Sequence, residues 1–341
     1  MKRTHVIGSL FALLLCWFTL NVAVSVPMAL AETREIASVA STPSVAGTIT
    51  EFKIPTHKSS PYLIAQGPDG NLWFTEFSKG QIGRITLNGM ITEFSLPISK
   101  SIPFGITSGS DGNLWFTEFN RNTIGRITPD GTITEFRIPT RHSRPAGITS
   151  GSDGNLWFTE FNGHQQIGRI TPTGKFTEFS LPNRLSDPTN IISGPDGNLW
   201  FTEPENNKIG RITPKGQVSE FPLPIANSKP YGITAGLDGN LWFTELYGNK
   251  IGRITPGGII TEFPIPSQQA TALEISAGSD GNLWFTENQV NKIGHITPDG
   301  TITEFPIPTS ASGPFGIGSG PDGNLWFTEY SANKIGRITT S

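Results

Sequence analysis

Asp111-Gly112-Asn113-Leu114-Trp115-Phe116-Thr117-Glu118 is one of seven copies of a single phrase, which also begins at Asp69, Asp153, Asp196, Asp238, Asp280 and Asp322. The copies stand 42 or 43 residues apart. A unit of that length cannot close a core alone and must stack on its neighbours. Around the phrase, the second unit holds four short strand-like runs, at residues 105–108, 114–118, 123–128 and 132–136. Asp111-Gly112-Asn113 and Pro129-Asp130-Gly131 separate the first and last pairs, because Gly, Asn and Asp tolerate the positive backbone angles of tight hairpins. Four antiparallel strands in about forty residues make a propeller blade.

The fold expected is therefore all-β, a seven-bladed β-propeller with four antiparallel strands per blade over residues 48–341. Thr48-Ile49-Thr50-Glu51-Phe52 reads as an outer strand with no inner strands before it, and the seventh unit stops at Ile338-Thr339 without an outer strand. The N-terminal strand is predicted to complete the last blade, removing two sheet edges. Trp73, Trp115, Trp157, Trp200, Trp242, Trp284 and Trp326 share one position on the second strand and are expected between blades. Burying an indole removes about 150–250 Å² from water, worth at most about 4–6 kcal/mol each. The Arg of Ile-Gly-Arg-Ile-Thr, Arg126 for example, is expected to pair across the last hairpin with the Glu of Thr-Glu-Phe, such as Glu135.

Residues 1–31 read as a signal peptide: Lys2 and Arg3, an apolar run, then Ala29-Leu30-Ala31 at a cut site. Residues 32–47 read as a flexible linker. The expected product is secreted or extracytoplasmic, cut after Ala31, monomeric, and without a stable membrane span once the leader is removed. Cys16, the single cysteine, lies in the leader, so the exported body has no disulfide, thiolate metal site or cysteine nucleophile. Of 25 basic residues the leader takes Lys2 and Arg3, and it takes none of the 28 acidic ones. The mildly acidic body gives no basic face for nucleic acid.

In every unit the x residue of Pro-x-Gly-Ile and the Glu of Phe-Thr-Glu are predicted at the same end, beside the central channel. The x ring is Tyr62, Phe104, Ala146, Thr189, Tyr231, Leu273 and Phe315; the Glu ring is Glu76, Glu118, Glu160, Glu203, Glu245, Glu287 and Glu329. Tyr62, Phe104, Tyr231 and Phe315 are candidate ligand-facing residues. Seven carboxylates at one mouth suit a hard divalent cation, but a residue present in every blade is most economically a fold element. His57, His142 and His164 occupy loops of the same end, with Lys58, Arg141, Arg144 and Lys229 forming a cationic rim. They are the candidate bases. Blade six departs most, with Glu274 where most blades have Gly, and is expected to be hydrated or to face a cation. Blade four has Asn190 there.

Gly-x-Asp-Gly-Asn-Leu-Trp-Phe-Thr-Glu, Asn-Lys-Ile-Gly-Arg-Ile-Thr and Thr-Glu-Phe-x-Ile-Pro together resemble the streptogramin lyase family, the virginiamycin B lyase-like propellers, over residues 48–339. The resemblance implies a seven-bladed propeller and a magnesium-dependent elimination that opens cyclic streptogramin B antibiotics at an ester. It places two histidines at x positions of adjacent blades, a Glu just before one Pro-x-Gly, and a Glu of Phe-Thr-Glu. Those positions here are Phe315, Leu273, Gly313 and Glu329. Of these, the last alone keeps the family's residue type. Three functions stay open: ligand binding on the channel face without the lyase histidines; a magnesium-dependent carbon–oxygen lyase with Glu287 or Glu329 on the metal and a loop histidine as base; and an interaction scaffold holding an envelope peptide or glycan.

Overall fold

The computed structural model describes residues 45–98, 100–161, 165–183 and 186–340. The leader, the linker up to residue 44 and His164 lie outside these residues, while the last linker residues are tied to the propeller, Gly47 donating to the Thr339 carbonyl at 2.9 Å and Val45 accepting from Thr339 Oγ1 at 2.6 Å. The described chain folds into seven four-stranded antiparallel sheets, six with their strands in sequence order. In the seventh, Ile49–Lys53 pairs antiparallel with Lys334–Ile338, Ile49 opposite Ile338 and Lys53 opposite Lys334, so the N-terminal strand closes the ring. In the second blade the strands are Pro103–Ser108, Leu114–Glu118, Thr123–Ile127 and Ile133–Arg137, within two residues of the runs read from sequence. No helix among the described residues is long and apolar enough to cross a membrane.

Each hairpin phrase builds its own scaffold. Gly112 takes φ +75°, which a side chain would strain, and Asp111 accepts hydrogen bonds from the Asn113 amide and from Trp115 Nε1 at 3.0 Å. The indole so oriented packs into the next blade: Trp115 shares an apolar cluster with Ile148, Leu156 and Phe158 of blade three. Phe116 takes the opposite face of its strand and lies over Gly125, where a Cβ would stand 2.1 Å from the ring. Glycine there is what lets the phenyl cover the third strand.

The expected Arg–Glu pair is not formed, and register explains why. Gly125, not Arg126, stands opposite Glu135, so strand alternation sends the arginine to the other face. There Arg126 approaches Asp111 at 3.9 Å, lies 5.6 Å over Trp115 and over Phe136, and donates to the Pro172 carbonyl of the following blade. Six blades repeat the stacking and the carbonyl bond, and five of them the approach to aspartate. In blade six His295 substitutes, 3.7 Å from Asp280 and packed against Trp284 at 4.6 Å, with burial pulling its basicity down.

Candidate functional site

Antiparallel pairing brings the two predicted rings to one end: Pro103 lies opposite Glu118 and Pro314 opposite Glu329, with a bulge following each proline. Their side chains then part company. The x residues turn into the channel and fill it. Tyr62 stacks on Phe315 at 4.0 Å, meets Phe104 at 4.5 Å, and reaches Tyr231 of blade five through a 3.0 Å hydroxyl contact. Tyr62, Phe104, Tyr231 and Phe315 are 3, 4, 2 and 0 % exposed. These four residues are brought together as expected, but they face each other rather than solvent and make a plug.

Beneath that plug Asn190 and Glu274 meet. The Asn190 amide donates to Glu274 Oε1 at 2.9 Å and to the Tyr231 carbonyl at 3.1 Å. The partner of Glu274 is thus a neutral amide, not the cation or open water expected from sequence. Burial raises its carboxyl to about 8, so it holds its proton at neutral pH. The inner strand of blade four is short, Ile191–Ser193, and begins just after Asn190.

The Glu ring turns away from the channel. Glu118 shares a strand face with Phe116, and that face looks onto Gly125 and Glu135, so the carboxyl lies along its own blade. All seven ring carboxyls are fully buried. Ser101 of the incoming crossover loop donates to Glu118 Oε2, tying the loop to the blade. Burial first, then the neighbouring outer-strand glutamate, raises Glu76, Glu160, Glu287 and Glu329 to about 8. Glu304 and Glu51, held below the usual carboxylate range by their donors, are ionised partners: Glu304 accepts from Lys292 at 2.8 Å and from the Ser267 amide at 2.9 Å, and Glu51 accepts from Lys334 at 2.9 Å.

Magnesium is usually held by one or two ionised carboxylates together with waters in near-octahedral array. Glu287 and Glu329 instead face Glu304 and Glu51 of their own sheets, favour the protonated form, and already have lysines beside those partners. No group of three or more His, Cys, Asp or Glu side chains arranged for a metal occurs among the described residues. The residues present do not fit the ion. His57 and His142 are exposed on crossover loops at this end, His142 with φ +60°, outside the buried plug.

Sequence reasoning passed over the residue that follows each Phe-Thr-Glu. Phe77, Phe119, Phe161, Pro204, Leu246, Asn288 and Tyr330 form a second ring above the plug. Phe77 lies 5.4 Å from Tyr62, Phe119 lies 5.7 Å from Phe104, and Tyr330 lies 6.4 Å from Phe315. Phe77 and Phe161 are half-buried and form, with their neighbours, the apolar floor that a ligand would meet at this end. The signal was present: this position varies while the seven residues before it do not.

The chain matches the Virginiamycin B lyase family over residues 21–203 and 183–341. It belongs to that family. Among solved structures it is similar to a streptogramin B lyase, with 42% identity over 87% of this chain and 100% of that one and a TM-score of 0.83. It is also similar to virginiamycin B lyase from Staphylococcus aureus, with 45% identity over 86% of this chain and 99% of that one and a TM-score of 0.82. A catalytically inactive histidine-to-alanine variant of the Staphylococcus aureus enzyme, solved with quinupristin, matches equally well at 45% identity, 86% and 99% coverage and a TM-score of 0.82. A search of curated proteins returns no match. As a member of the virginiamycin B lyase family, the chain shares the seven-bladed propeller with these structures.

Proposed function

We propose that this member of the family is an exported, monomeric propeller that binds a ligand at the channel end of the ring and does not carry out lyase elimination. One observation carries the reading: the positions where the family resemblance puts catalytic histidines hold Phe315 and Leu273, 0 and 5 % exposed within the plug. Elimination across an ester removes a proton next to a carbonyl, and neither a phenyl ring nor an isobutyl group accepts one. Losing a general base costs about 10²–10⁴ in rate. The burial of Glu287 and Glu329 supports the same conclusion for magnesium. What remains on that end is an apolar floor with polar loops around it, which suits binding. Export rests on the leader, and an N-terminus beginning at Glu32 in the secreted protein checks it.

Incubating purified protein with quinupristin, with magnesium or with chelator, and following the macrocycle by mass spectrometry tests the reading. Intact quinupristin in both samples is the expected result. Ring opening that needs magnesium would establish the rival reading, a carbon–oxygen lyase using a loop base such as His57 or His142.

A further inference from the structure

Blades six and seven mark a cation position with their own lysines. Lys292 Nζ donates to Glu304 Oε2 and to Ser267 Oγ, both at 2.8 Å. Lys334 Nζ donates to Glu51 Oε2 at 2.9 Å and to Thr309 Oγ1 at 2.5 Å. In each case the hydroxyl belongs to the crossover loop entering the blade, and it donates in turn to the same Oε2, at 2.9 Å from Ser267 and 2.8 Å from Thr309.

Blade one keeps these oxygens without the lysine. Thr56 Oγ1 donates to Glu93 Oε2 at 3.0 Å, and the Thr56 amide to Oε1 at 3.1 Å. The lysine position is Gln81, which lies opposite Glu76, and strand alternation puts Glu76, Gln81 and Glu93 on one face. Glu76 is fully buried, and neither of its carboxyl oxygens has a hydrogen-bond partner. Ser59 Oγ, whose own proton goes to Asn333 Oδ1 at 3.0 Å, stands beside it. Glu93 and Ser59 are the groups that act on Glu76, whereas a lysine acts on the equivalent Glu203, Glu245, Glu287 and Glu329.

We propose that blade one binds a calcium ion between Glu76 and Glu93, with Thr56 Oγ1 and Ser59 Oγ as further ligands. Every donor is an oxygen, which selects a hard cation, and two carboxylates balance a dication. The ion takes the place of the proton that Glu76 otherwise holds. Glu93 is half-buried and gives access from solvent, while Glu76 is closed to it, so the ion must shed most of its waters. Calcium does so in irregular shells of roughly six to eight oxygens, whereas magnesium dehydrates reluctantly. The site lies on the seam of the ring, because Thr56 closely follows the closing strand Ile49–Lys53. Calcium there fastens the crossover that carries the chain from the closing strand into blade one.

The test is calorimetric titration of the intact secreted chain, stripped of metal by chelator, with calcium, magnesium and potassium chlorides. Calcium is expected to bind with a Kd of roughly 10⁻⁴–10⁻³ M, to raise the melting temperature and to slow hydrogen exchange in residues 49–60. Gln81→Lys supplies the ammonium of blades four to seven and is expected to abolish calcium binding without lowering the melting temperature of the metal-free protein. Glu76→Gln is expected to weaken binding by about tenfold, the loss of one charged ligand, and carries the test should Gln81→Lys misfold. Glu245→Gln in blade five, where Lys250 is present, is expected to leave binding unchanged. No calcium binding, magnesium or potassium bound as tightly as calcium, or calcium binding indifferent to Gln81→Lys and Glu76→Gln would each overturn the assignment.

Discussion

Replacing Glu160 by Gln is expected to make the propeller more resistant to alkali. Glu160 is fully buried in blade three and faces Glu178, with Gln166 at the position where blades four to seven carry Lys208, Lys250, Lys292 and Lys334. Burial, then the charge of Glu178, raises its carboxyl from 4.5 to about 8. Between those values the folded chain keeps a proton that the unfolded chain has released. Stability contributed by the protonated form is therefore complete below about pH 4.5 and is lost as pH rises through about 8. At 1.36 kcal/mol per pH unit the gap sets a ceiling of ~5 kcal/mol, and relaxation toward an effective dielectric near 20 brings the expected effect to ~2 kcal/mol. The amide copies the neutral carboxyl and does not ionise. Urea unfolding followed by tryptophan fluorescence should give nearly equal midpoints for the two proteins near pH 5 and a clear advantage for Glu160→Gln near pH 9. Gln166→Lys should reproduce the alkaline gain by giving Glu178 the cation found in blades four to seven. A difference between Glu160→Gln and the parent that does not change with pH would refute the assignment of a buried neutral carboxyl.

Two further outcomes follow from the ring itself. Removing residues 45–53 strips the five paired residues from Lys334–Ile338 and exposes a sheet edge, so the truncated chain should melt lower and self-associate; a monomer of unchanged stability by light scattering and thermal melting would contradict closure by that strand. His295→Arg should restore to blade six the stacking on tryptophan that arginine makes in the other six blades and the aspartate contact it makes in five of them, raising stability by about 0.5–1 kcal/mol, and a lower melting temperature would argue that the imidazole is preferred there.

The candidate site was legible in part. Repeat length, the Asp-Gly-Asn hairpin and the antiparallel rule located Pro-x-Gly and Phe-Thr-Glu at one end, and the register of Pro103 with Glu118 agrees. The direction of each side chain was not legible. Glu118 belongs to the face of Phe116 and so runs along its blade, while the x residues enter the channel after the bulge. A single list of residues at one end merged two sets that never share a surface. The cross-strand partner of Arg126 was missed for the same reason, a register one residue away from the one assumed.

What the sequence determined alone was the architecture: seven copies of one phrase can bury their tryptophans only against neighbouring copies, and an orphan outer strand at the start can pair only with the unit that lacks one. Those are constraints of period and hydrogen bonding, which are local and repeat in every unit. The tertiary structure decided the character of the channel end, because only ring closure sets which blades face each other across the axis. It brings Tyr62 of blade one to Tyr231 of blade five, and Asn190 of blade four to Glu274 of blade six, contacts between residues 169 and 84 positions apart that no local pattern encodes.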